Sequence, residues 1–168
     1  MSSMVAMVFE KLVSQLPVRV NPVLSILFAW ILAYIPHFLK RPYVMRKLKE
    51  KNEKFEIANS RLIGNQMADN TATGKIIAAH AGCHQNGLEA FALYAVSLIL
   101  AMQFHVDLDT LQAAAGLFLT LRVLYTAFYL TSLNGQLRSS ACFLGALTCL
   151  GLIWCAYERF LIFGYNTK

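Results

Sequence analysis

Two stretches of this 168-residue chain carry side chains suited to holding a charged ligand. Residues 82–91 read GCHQNGLEAF, and after Ala92 an apolar run, LYAVSLILAM, follows. Residues 122–138 read RVLYTAFYLTSLNGQLR and join two further apolar runs. At the centre of a membrane span, an unpaired Glu89 or Arg122 costs about 2.5–3.5 kcal/mol on insertion scales, so neither belongs against lipid. On a helix Gln85, Asn86 and Glu89 share one face, with the small residues Ala78, Gly82 and Ala92 close by to let a neighbouring helix approach. Arg122, Tyr125 and Tyr129, spaced by three and four, form a second polar stripe, and the two stripes are expected to meet. Arg138 opens the following segment, on the side of the membrane where Lys40, Arg41 and Arg46 also gather. Cations, two tyrosines and an intramembrane carboxylate together describe a cleft for a zwitterionic or anionic ligand. A plainer reading stands beside it: Asn86 and Glu89 join helices by hydrogen bonds and a pair with Arg122, while the outer cations snorkel to headgroups.

The elements that must position these residues follow from hydropathy. With 57% hydrophobic and 14% charged residues the chain is too apolar for an ordinary soluble domain. Four segments, about 22–39, 76–104, 109–133 and 138–163, approach or exceed the roughly 20 residues that cross a hydrocarbon core about 30 Å thick. Lipid cannot satisfy open backbone groups and no alternating strand pattern occurs, so the fold class is all-α: an integral membrane four-helix bundle in a single domain. Pro22 suits a helix start, Asp107 and Asp109 suit the positive end of the third span, and Ser132, Asn134 and Gly135 are expected to close that span.

Nine of the fifteen Lys and Arg residues lie between Lys40 and Lys75; with Glu50, Glu53, Glu56 and Asp69 this stretch carries +5 of the chain's +6. It reads as a long basic loop between the first two spans, on the cytoplasmic side or its organellar equivalent, with both termini opposite. Anionic headgroups account for its charge without nucleic acid. Within it, RKLKEKNEKFEIANSRL is helix-compatible and able to extend the first span. Residues 1–19 lack the form of a signal peptide; Met4, Val5, Val8, Leu12 and Leu16 recur at helical spacing, as in an amphipathic helix lying on the bilayer. Cys83, Cys142, Cys149 and Cys155 fall inside spans and read as small buried apolar residues. His80, Cys83 and His84 share a face opposite Glu89, but Ala81 stands where a zinc-protease helix needs Glu, and no metal is expected. No phosphate loop, serine elbow or dinucleotide fingerprint occurs.

HQNGLEAF, residues 84–91, resembles the His/Gln-x-Asn-x-x-Glu motif of the membrane-associated proteins in eicosanoid and glutathione metabolism, the MAPEG family. The second stretch is similar to the pattern of its microsomal glutathione transferases: Arg122, Tyr129 seven residues on, and Arg138 nine beyond that. The resemblance spans roughly residues 20–163. It implies a homotrimer in the endoplasmic reticulum or another organelle membrane, with glutathione as co-substrate bound between subunits near the cytoplasmic face. Asn86, Glu89, Arg122, Tyr125 and Tyr129 would bind the tripeptide and Arg138 would stabilise its thiolate. The implied reactions are thiol addition, substitution or peroxide reduction on hydrophobic electrophiles arriving from the bilayer. Ala81 and Gly82 stand where active members carry Arg at one or both positions, and Ala92 where Pro is common. That departure favours the alternative, a catalytically silent structural or accessory subunit of a larger membrane complex.

Overall fold

A computed structural model of the chain describes residues 4–53, 63, 66–131 and 135–163. They form helices α1 (Met4–Ser14), α2 (Pro22–Glu50), α3 (Ala72–Gln103), α4 (Leu108–Thr131) and α5 (Gly135–Phe163), with no strand among the described residues. Helices α2 to α5 are each long and apolar enough to cross a membrane, and the protein is an integral membrane four-helix bundle.

Local chemistry explains where the helices begin and end. Asn21 caps α2 by accepting from the backbone N–H groups of Val23 and Leu24, and Pro22 follows at a position where its missing N–H costs nothing. Asn52 and His105 adopt φ of 56° and 55° just past α2 and α3. The N–H groups of Glu53 and Val106 then reach back to the carbonyls of Leu48 and Ala101, closing both ends. At the start of α4 the Asp107 carboxylate accepts from the N–H groups of Asp109 and Thr110. Ser132 and Asn134, expected to close α4, lie outside the described residues.

Of the basic stretch expected as a loop, residues 40–50 continue α2 and residues 72–75 open α3, while 54–62, 64 and 65 are not described. Lys47 is buried there, donates to the Met67 carbonyl at 3.0 Å and pairs with Asp69. Asp69 also accepts from the N–H and hydroxyl of Thr71, whose own oxygen caps α3 at Gly74. The Lys47 ammonium first, and then Thr71, hold the Asp69 carboxyl well below the usual carboxylate range.

Antiparallel α2 and α3 pack closely where Gly87 meets Ala33: a Cβ on Gly87 would lie 3.0 Å from the Ala33 Cα. Helix α4 touches α2, α3 and α5, α5 also packs on α3, and α2 and α5 occupy opposite sides. Tyr94 and Phe118 stack at 3.9 Å in the core, with the Tyr94 hydroxyl 2.6 Å from the Ser25 hydroxyl. Helix α1 docks on α4 and α5 through Ala6, Phe9 and Val13, while Met4, Val5, Val8 and Leu12 point outward.

Candidate functional site

The α3 and α4 stripes meet through one direct bond. Arg122 Nη1 donates to Asn86 Oδ1 at 3.1 Å, and the guanidinium carbon lies 4.3 Å from the centre of the Tyr125 ring. The rings of Tyr125 and Tyr129 are 5.5 Å apart, and Arg138 at the start of α5 stands 4.6 Å from the centre of the Tyr129 ring. Two cations are thus linked through two tyrosines across α4 and α5, and Asn86 joins them from α3. The inner one is desolvated: Arg122 is 6% exposed, and no carboxylate pairs with it among the described residues. An amide oxygen and a ring face replace the anion that a buried guanidinium usually meets.

Glu89 does not supply that anion. It lies on the outer side of α3, exposed in the isolated chain, and accepts from Gln85 Nε2 at 3.0 Å. Glu89 and Arg122 nonetheless border the same cavity of about 190 Å³, enclosed by α3, α4 and α5 and lined also by Asn86, Phe118, Cys142 and Cys149. Ligand pockets for drug-sized molecules usually run to about 300–1,000 Å³, so one chain offers only part of a site for a tripeptide. On the α2 side of Arg122, a gap of about 10 Å³ between Ala33, Cys83 and Gly87 has room for a single water-sized group.

Gly82 gives Tyr129 its place. A Cβ at residue 82 would fall 2.5 Å from the Tyr129 hydroxyl, so the tip of that side chain fills the space above the glycine. Cys142 was missed as a site residue because cysteine in an apolar run reads as packing. Its sulfur lies 3.9 Å from both ends of the Asn86 amide, and it sits four residues after Arg138, one helical turn along the same face. That spacing was the available signal. The histidines of α3 turn instead toward α2. His84 Nδ1 donates to the Ala33 carbonyl at 2.7 Å, and the His80 ring lies 5.7 Å from that of Tyr43 while its Nδ1 meets the Ile76 carbonyl of its own helix at 2.8 Å. Among the described residues no three His, Cys, Asp or Glu side chains group as metal ligands would.

The arrangement can bind an anion against Arg122, orient it with the Asn86 amide, and hold a second negative charge near Arg138. In comparison with known proteins, the model of the MAPEG family matches residues 16–157. No curated protein and no solved structure matches the chain.

Proposed function

The chain belongs to the MAPEG family, which includes glutathione transferases and peroxidases, and on that premise we propose that it is a glutathione-dependent transferase or peroxidase acting on hydrophobic electrophiles dissolved in the membrane. The observation that carries this reading is the buried Arg122, without a carboxylate partner among the described residues, at the wall of a cavity it shares with Asn86 and Glu89. A carboxylate of glutathione neutralises Arg122 there, and the Asn86 amide fixes its orientation. Glu89 takes the ammonium group of the γ-glutamyl residue. Tyr125 and Tyr129 wall the site, and Arg138 faces the sulfur. A cation beside a thiol favours its ionised form, the reactive nucleophile. The electrophile enters sideways from the acyl chains.

Glu89 and Gln85 are exposed on the surface of a spanning helix, and an open carboxylate at that depth is costly against lipid. A homotrimer, with a second copy covering this face and completing a cavity too small for the tripeptide, meets both facts. A second reading, a silent accessory subunit, rests on Gly82: the neutral Tyr129 hydroxyl occupies the space where a cationic side chain would otherwise begin. Titrating the detergent-purified protein with glutathione while following thiolate absorbance separates the two. The enzyme reading expects a thiolate signal that Arg138→Ala abolishes. An absence of glutathione binding at millimolar concentration overturns it.

A further inference from the structure

Of the chain's four cysteines, three are closed off. Cys83, Cys149 and Cys155 are each 1% exposed. Cys142 is only half-buried and lines the cavity of about 190 Å³ beside Arg122 and Asn86. Its sulfur is 3.9 Å from the Asn86 amide, whose oxygen also accepts from the Arg122 guanidinium at 3.1 Å. Phe118, Leu93 and Ala90 make the rest of the wall largely apolar. A thiol, a desolvated cation without a carboxylate partner among the described residues, and a largely apolar pocket therefore share one space. Nothing in the binding of glutathione to Arg122 and Arg138 requires the thiol.

We propose that Cys142 is a second sulfur nucleophile of this site, which reduces lipid hydroperoxides itself and is regenerated by glutathione; the regeneration rests on the glutathione reading above. In the first step the Cys142 sulfur attacks the terminal oxygen of the hydroperoxide. An S–O bond forms, the O–O bond breaks, and sulfur gives up two electrons. The thiol proton ends on the departing oxygen, so the products are Cys142 sulfenic acid and the lipid alcohol. Arg122, at the wall of the same cavity, supplies the fixed cation for the negative charge that develops on the departing oxygen, and a glutathione carboxylate takes its place there once the alcohol has left. One glutathione then condenses with the sulfenic acid, forming a mixed disulfide and water. A second glutathione attacks the glutathionyl sulfur, releasing glutathione disulfide and returning its proton to Cys142. Each turnover reduces one hydroperoxide and oxidises two glutathiones.

The test uses wild-type protein in detergent with no glutathione present. One equivalent of a fatty-acid hydroperoxide is added, and alcohol release, intact mass and the modified peptide are measured. The expected result is a burst of one alcohol per chain and the gain of one oxygen atom on Cys142, with Cys155 unmodified in the same sample. Added glutathione replaces that oxygen with a glutathionyl group and then restores the free thiol, and Cys142→Ser removes the burst. Cys142 remaining reduced while glutathione-supported peroxide reduction proceeds would overturn the proposal, because bound glutathione alone would then do the chemistry. Oxidation spread evenly over all the cysteines would overturn it too. A burst at Cys142 in a protein that binds no glutathione sustains the first step while removing the proposed transferase function.

Discussion

The end of the bundle that carries α1 and the seam between α3, α4 and α5 treat their cations in opposite ways. At the α1 end Arg19 pairs with Asp109 at 3.0 Å and Arg159 with Glu10 at 3.5 Å. The Phe9 ring lies over Gly151, and the Val20 N–H donates to the Gln112 carbonyl at 3.1 Å. Every contact there fixes one element of the chain on another. Along the seam, Arg122 and Arg138 face aromatic rings and an amide, and neither has a carboxylate partner among the described residues. A charge already matched within the chain has little to offer a ligand, whereas a desolvated cation left with its positive charge does. On the proposed reading the α1 end serves structure and the seam serves binding.

The largest effect expected from breaking this contrast is at Arg122. Arg122→Gln keeps a donor for Asn86 but loses the charge. A hydrogen bond to a charged group is worth about 1.5–3 kcal/mol, so glutathione affinity by calorimetry should fall about 10- to 100-fold. Gly151→Ala comes next and should act on stability alone. Its Cβ would lie 2.2 Å from the Phe9 ring, and overpacking of this kind costs about 1–3 kcal/mol. Chemical denaturation should show that loss with glutathione affinity unchanged, and adding Phe9→Ala should recover part of it.

Acid gives a third handle, on the matched Lys47–Asp69 pair. The folded Asp69 carboxyl titrates below its ordinary 3.8, so the pair's contribution is complete above that value and is lost as pH falls through the depressed one. Asp69→Asn should therefore lower the thermal midpoint at neutral pH, and its curve should converge on wild type in acid. The smallest effect belongs to Asp109→Asn. The Arg19–Asp109 pair is exposed, such pairs contribute about 0.2–1 kcal/mol, and the shift in denaturation midpoint should be barely resolved.

The seam half of this contrast is legible in the sequence. Long apolar runs fixed the number of spanning helices, and helical spacing placed Asn86 and Arg122 on two polar stripes expected to meet. Glu89 escaped that reasoning for a geometric reason. Residues three apart on a helix diverge by about 60°, enough for one to enter a seam while the other stays at its rim. The rotation that chose Asn86 is set by Gly87 pressing on Ala33, a contact that no polar pattern announces. The docking of α1 was hidden similarly, since Phe9 over Gly151 depends on the absence of a side chain. The outward row of Met4, Val5, Val8 and Leu12 was plain, but the smaller inward residues Ala6 and Val13 were not. Cys142 was obscured by its residue type, because burial and reactivity use the same side chain.

Central to the account is that Arg122 is kept without an anion so that a ligand carboxylate can supply one. The most direct test is a binding cycle using glutathione and analogues in which one or the other carboxylate is an amide, each titrated into wild type and Arg122→Gln. The account predicts that one amide substitution costs at least about tenfold, or about 1.4 kcal/mol, in wild type and almost nothing in the variant. Equal losses in both proteins for each analogue would contradict it.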